Sequence, residues 1–218
     1  MVKSNGIKRQ MIILATHNSG KIKEFKRNLT NITNIKNLEL LHLKQLGVSI
    51  IAEESGVSFE ENAKQKLSTY FEILDASLGL QDKILISEDS GLKVSSLNGE
   101  PGIQSARYGG KSLTDAERVE YLLDKMKEIQ SNERNAQFVC VIAVAGFGIP
   151  VNKPEIFKSE VEGSISSIQK GTNGFGYDPV FINLNYKKTN AELNEKEKDR
   201  VSHRGLAIQQ MIPFLEKL

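Results

Sequence analysis

Apolar residues along this chain fall into two kinds of run. Short unbroken runs read as buried strands, and runs with a three-to-four-residue beat read as amphipathic helices. "MIILAT" (11–16) is a run of the first kind, closed by the polar "HNSGK". Ile22, Phe25 and Leu29 then recur at helical spacing, which predicts a helix from Ser19 or Gly20 to Leu29. "NLELLHL" (37–43) predicts a second strand. The strongest helical pattern is "SFEENAKQKLSTYFEILDASLGL" (58–80), with Ala63, Leu67, Tyr70, Phe71 and Leu74 as its apolar stripe. Ser58 and Glu61 have the spacing of a capping box, and Gly79 is the expected stop. "KILIS" (83–87) predicts a short strand ending at the acidic "EDSG". A helix capped by Thr114, with Glu117 three residues on, is expected over 114–129. "AQFVCVIAVAGF" (136–147) predicts a long strand, "EIFKSEVEGSI" (155–165) an antiparallel neighbour, and "DPVFIN" (178–183) a short strand after a Gly-rich loop. A final helix is expected over 202–218, kinked or divided at Pro213. Strands and helices interleave without strict strand–helix–strand repetition, so the expected fold is α/β with a mixed sheet.

Four polar stretches sit where these elements meet, the usual place for binding residues. Thr16–Lys21 lies between a strand end and a helix start, where backbone N–H groups and the positive helix end favour an anion. Thr16 and Asn18 add side-chain donors, and Lys21 adds a charge suited to phosphate. The P-loop pattern itself fails, because Ala15 stands five places before Gly20 and Ile22 follows Lys21. Acidic pairs recur at Glu53–Glu54 and Glu88–Asp89, each before Ser-Gly. Carboxylates on short loops suit Mg²⁺, which takes few protein ligands and leaves positions to water and substrate phosphate. "GTNGFGYDPVF" (171–181) sets glycines around Phe175 and Tyr177, allowing close approach to a flat ligand. Phe175 can stack on a base, and Asp178 can accept from ring N–H groups. Lys188, His203 and Arg204 form a second basic side. Arg204 falls in the first turn of the last helix, where the dipole disfavours a cation and an anionic partner is expected. Together the stretches supply phosphate donors, a metal platform, a base clamp and a second basic side, the needs of a nucleoside triphosphate.

Composition narrows the alternatives. The 218 residues suffice for one large domain or two small ones, with 39% hydrophobic and 26% charged residues. Twenty-nine basic against 27 acidic residues leave a net charge of +2, too balanced for a nucleic-acid coat. The one cysteine, Cys140, lies inside an apolar run and reads as a buried core thiol. An intrachain disulfide is impossible, and a reducing compartment, the cytoplasm, is expected. No apolar run approaches the ~20 residues of a membrane span. The first ten residues are basic without a signal-peptide apolar stretch and read as a short disordered extension.

The stretches also carry a resemblance. "LATHNSGKIKEF", "EESGVSFEENAKQKL", "EDSGLKVSSLNGEPGIQSARYGG", "GTNGFGYDPVF", "KKTNAEL" and "KDRVSHRG" resemble, in order, the motifs of the inosine triphosphate pyrophosphatase or Ham1-like family. The resemblance runs from about Met11 to the C-terminus and implies one domain over 11–218. It implies an elongated mixed α/β fold, two lobes around a central nucleotide cleft, and a homodimer. The implied activity is Mg²⁺-dependent hydrolysis of ITP, XTP and their deoxy forms to the monophosphate and pyrophosphate, which cleanses the nucleotide pool. By the same resemblance Thr16, His17, Asn18, Ser19, Gly20 and Lys21 hold the triphosphate, with Lys21 also catalytic. Asp89 is a general base or metal ligand, and Ser90 and Lys66 are substrate contacts. Phe175, Gly176, Tyr177 and Asp178 recognise the base, and Lys188, His203 and Arg204 complete the contacts. Glu88 stands where the family often has Asp. Glu53, Glu54 and Glu88 remain alternative partners of Asp89 on the metal.

Overall fold

A computed structural model of the chain describes residues 10–32 and 38–218. Among these residues seven strands form one mixed sheet. They are β1 (Gln10–Leu14), β2 (Leu38–His42), β3 (Lys83–Val94), β4 (Asn135–Gly146), β5 (Glu155–Ile165), β6 (Phe181–Asn183) and β7 (Lys188–Thr189). The order across the sheet is β2-β1-β3-β4-β5-β6-β7, parallel between β2, β1 and β3 and antiparallel from there on. The helices are α1 (Ser19–Ile32), α2 (Phe59–Leu78), α3 (Asp115–Lys125), α4 (Glu195–Val201) and α5 (His203–Leu215).

The alternation of side chains along a strand sends neighbouring residues to opposite faces, and each face here finds its own helices. Ile13, Leu85, Val141 and Ala143 pack against Ala63, Leu67 and Leu74 of α2. Ile12, Ile84, Ile86 and Ile142 pack on the other face against Phe25 and Leu29 of α1 and Ile208 and Met211 of α5. Cys140 joins this second cluster as a fully buried thiol. A third cluster gathers at the far ends of β3 and β4, where Leu92, Val94 and Phe138 meet Val119 and Leu122 of α3 and Phe181. β3 and β4 run through all of this, so one antiparallel pair is the spine of both ends of the molecule.

Several expectations are corrected by tertiary context. The strand at "KILIS" does not stop at the acidic residues. It continues to Val94, because β4 pairs with it residue by residue from Ile84 to Val94. Glu88 and Asp89 are therefore mid-strand residues, not loop carboxylates. At α2, Ser58 accepts from the Glu61 amide as expected, but the Glu61 carboxylate turns back to the Val57 amide, so the box is only half formed. α3 has the full Thr114–Glu117 box and ends four residues before the expected Ile129. The expected strand at "DPVFIN" shrinks to Phe181–Asn183. Pro213 does not divide the last helix, as α5 runs through it to Leu215. Ser202 is both the end of α4 and the N-cap of α5. Residues 1–9 of the expected disordered extension lie outside the described residues, and Gln10 already belongs to β1.

β3 outruns its parallel neighbour. β1 pairs with it only from Lys83 to Ile86, and the Ala15 amide makes the last bond, to the Ile86 carbonyl. Past that point the edge of β3 faces a gap, bounded on its far side by the 3-10 helix Gly102–Arg107. That helix sits close because Gly91 has no side chain. A Cβ there would come within 2.5 Å of the Gly102 carbonyl and 2.8 Å of the Phe59 ring. Gly91→Ala is expected to keep the fold and lose about 1–3 kcal/mol of stability by overpacking, read from denaturant unfolding. An unchanged midpoint would show that the 3-10 helix does not depend on this contact.

Candidate active site

The gap beside β3 opens into a cavity of about 340 Å³. One wall is the turn between β1 and α1. Asn18 Oδ1 accepts from the Lys21 amide at 2.9 Å, and Thr16 Oγ1 accepts from the Asn18 amide at 3.2 Å. These bonds fix the turn and, among the described residues, leave the Thr16 hydroxyl proton and the Asn18 Nδ2 hydrogens uncommitted, at the start of a 14-residue helix. His17 borders the same wall, with its Nε2 at 3.0 Å from the Ile50 carbonyl.

The floor is β3, and strand alternation divides its carboxylates. Asp89 points to the α2 face, where Lys66 Nζ reaches it at 2.9 Å and Asn62 Nδ2 at 3.2 Å. The same ammonium reaches Glu54 at 2.8 Å, and Arg107 holds Glu54 from the other side at 2.9 Å. Burial raises the Asp89 pKa, the Lys66 and Lys21 charges offset this only in part, and the neighbouring Glu54 charge adds to the rise. Burial disfavours the Lys66 charge, but the two carboxylates outweigh it and hold the ammonium protonated.

Glu88 points the other way. Its carboxylate meets Lys21 Nζ at 2.9 Å and Arg204 at 3.1 Å, and the Cys140 thiol lies 3.4 Å away. Burial opposes its ionisation, and these two cations overcome it, holding the group well below the ordinary carboxylate range. Arg204 continues the chain of charges to Glu24, and Glu24 to Lys198, which also grips Asp178. Three cations (Lys21, Arg204, Lys198) thus face three carboxylates (Glu88, Glu24, Asp178), and the buried network is neutral overall. The anionic partner expected for Arg204 is supplied by the protein itself, through Glu24 and Glu88. Ser90 also accepts from Arg204, at 3.0 Å.

The remaining wall is the glycine loop. Gly171, Gly174 and Gly176 all have positive φ, which other residues adopt only with strain. Asp178 shapes this loop by accepting from the Phe175 amide at 2.8 Å, while Asn190 holds its other oxygen at 3.2 Å. The Phe175 ring lies 5.3 Å from both the Lys198 ammonium and the Arg204 guanidinium. Tyr177 donates to the Ser105 carbonyl and ties the loop to the 3-10 helix. His203 stacks flat on Phe138, with ring centroids 4.4 Å apart. Burial and the neighbouring Arg204 push its pKa well down, so the imidazole is neutral.

The cleft therefore gathers Thr16, His17, Asn18, Lys21, Glu54, Lys66, Asp89, Ser90, Phe175, Gly176, Tyr177, Asp178, His203 and Arg204 from the sequence expectations. Ser19 and Gly20 line a second cavity behind Phe175. Glu88 and Glu53 are outside the cleft lining, the first across the sheet and the second exposed. Lys188 is exposed on β7 and also stands outside it. A basic residue that does line the cleft, beside Arg204 and the glycine loop, is Lys198, hidden in the charge run "EKEKDR" that runs into "KDRVSHRG". Tyr70, Ser105, Asp115 and Arg118 also line the cleft, and no local pattern in the sequence marks them for it. Among the described residues no three His, Cys, Asp or Glu side chains gather as a metal cage. Of the four carboxylates expected at a metal, Asp89 and Glu54 line the cleft, while Glu53 and Glu88 do not.

The Ham1 family model matches residues 12–214. This chain belongs to the Ham1 family. A dITP/XTP pyrophosphatase of Staphylococcus epidermidis is 41% identical over 205 residues, 94% of this chain and 96% of the relative. One from Bacillus subtilis is 38% identical over 204 residues, with the same coverage. The solved Ham1 protein of Staphylococcus aureus superposes with a TM-score of 0.77 at 38% identity, over 95% of this chain and 99% of the other. That of Coxiella burnetii superposes with a TM-score of 0.78 at 34% identity, over 96% and 100%. The mixed seven-stranded α/β sheet is thus the fold of a Ham1 protein.

The buried network gives this Ham1 protein an acid-labile site. Burial works against ionisation of Glu24, but Arg204 and Lys198 lower its pKa from 4.5 to about 2. A depressed carboxylate adds stability that is full above the unfolded value and lost as pH falls through the folded one. Stability is expected to drop between pH 4.5 and about 2. Glu24→Gln should cost about 3 kcal/mol at neutral pH and flatten that acid limb, as read by thermal melts across pH. An unaltered limb would remove Glu24 from the account.

Proposed function

We propose that this protein hydrolyses deaminated purine nucleoside triphosphates, ITP, XTP and their deoxy forms, to the monophosphate and pyrophosphate, and so cleanses the nucleotide pool. The observation that carries this reading is the convergence in one cleft of a helix-start anion turn, a buried Asp–Lys–Glu cluster and a base-sized aromatic loop. It agrees with relatives named for dITP and XTP at about 40% identity.

The triphosphate lies against Thr16, Asn18 and the α1 start, where Lys21 balances its charge. Asp89 and Glu54 fit a divalent cation. Both are oxygen donors, Lys66 between them marks a place where positive charge is already favoured, and Mg²⁺ needs only one or two carboxylates beside phosphate and water. Mg²⁺ held there would neutralise charge developing on the phosphates. Asp89 orients the attacking water, the role open to a carboxylate that also holds the cation. Lys66 and Lys21 stabilise negative charge on the leaving pyrophosphate.

At the other end Phe175 stacks on the base. Lys198 and Arg204 are fixed as donors by their own carboxylates, so the acceptor O6 of hypoxanthine or xanthine meets donors. The 6-amino group of adenine would face the same donors and leave buried groups unpaired, a mismatch that rejects a substrate strongly. The reading includes a cytoplasmic homodimer as the working form.

The test is pyrophosphate release from ITP, XTP, GTP and ATP with Mg²⁺. ITP and XTP should turn over at least ~100-fold more efficiently than ATP. Asp89→Asn should lower kcat by ~100-fold or more with little change in KM. Absence of pyrophosphate from both ITP and XTP would sink the proposal.

A further inference from the structure

The Phe175 ring is a partition. It lines the nucleotide cleft on one side and the second cavity, behind α1, on the other. Its amide is pinned to Asp178, but the ring itself is held by what lies against it: the Lys198 and Arg204 cations at 5.3 Å and the first turn of α1. In that turn stands Gly20. A Cβ on Gly20 would fall 2.5 Å from Phe175 Cδ1 and 2.7 Å from Cγ and Cε1. The backbone there is ordinary right-handed helix, so conformation does not demand glycine. A helix ordinarily favours alanine over glycine, which leaves space for the ring as the reason for the residue.

We propose that Gly20 is a positioning residue. Its missing side chain seats the Phe175 ring between α1 and the Lys198–Arg204 cations, in the attitude that stacks on the purine base. This rests on the substrate reading above and reassigns Gly20 within it, from the phosphate cradle to the base end. A methyl group at position 20 pushes the ring off its seat and toward the cleft. Binding of the base suffers, while the phosphates, Asp89 and Lys66 stay in place.

The experiment compares wild type, Gly20→Ala, Phe175→Ala and the double variant, with pyrophosphate release from ITP and with melting temperature. Gly20→Ala is expected to raise KM about tenfold, the scale of a lost base stack, with kcat within about threefold of wild type. Phe175→Ala raises KM by itself. Adding Gly20→Ala to Phe175→Ala should then cost less than about a further twofold, because every atom that the methyl would meet is gone. An unchanged KM in Gly20→Ala, or an equal rise in both backgrounds, overturns the proposal and returns Gly20 to the phosphates. Should Gly20→Ala be too unstable to assay, melting temperature decides. Recovery in the double variant supports the steric link, and an equal loss overturns it. A wild type that releases no pyrophosphate from ITP or XTP overturns the substrate reading instead, and the melting comparison still tests the Gly20–Phe175 contact.

Discussion

The arrangement of the whole site hangs on one buried guanidinium. Arg204 is almost wholly inaccessible, sits in the first turn of α5, and binds Glu24 from α1 and Glu88 from β3 at once. The α5 dipole opposes a cation at this end, and burial opposes one anywhere. Two carboxylates outweigh both effects and raise the Arg204 pKa further still. Removing any one member would strand an unpaired charge in the interior, which costs far more than an exposed pair gains. The network therefore locks α1, α5 and β3 in one register. That register puts the α1 turn opposite the glycine loop, with the floor of the cleft between them.

β3 supplies the division of labour. Glu88 and Asp89 are neighbours in sequence, yet the pleat sends them to different helices and to different tasks. Glu88 is tied to Lys21 and Arg204, deep and charged. Asp89 shares one ammonium with Glu54 beside the open cleft, and its proton affinity is lifted instead of lowered. A carboxylate locked in a buried charge network and one facing the cleft can thus stand side by side because a strand, not a loop, carries them.

Much of this was legible in the sequence. Periodicity located the main strands and helices, and the cap residues at Ser58, Thr114 and Ser202 marked where helices begin. The cleft residues of the α1 turn and the glycine loop carried local signals, since anion turns and positive-φ glycines are written in short stretches. What stayed hidden was pairing at long range. The length of β3 past Ser87 is imposed by β4, about fifty residues downstream, and a polar "EDSG" gives no hint of a strand. Lys198 carries no signal of its own among the charges of α4, because its burial depends on Asp178 and Glu24 arriving from elsewhere. Lys188, in a more suggestive motif, stayed on the surface.

The strand that outlasts its neighbour has a further meaning. Among the described residues, one edge of β3 has no β-partner between Ile86 and Leu92, and such an edge would ordinarily invite a strand from another molecule. Here charged side chains stand at both faces of that edge. The Ser105 hydroxyl occupies the Leu92 amide where the open stretch ends. The same break in the sheet that makes room for a small molecule is thereby closed to a polypeptide.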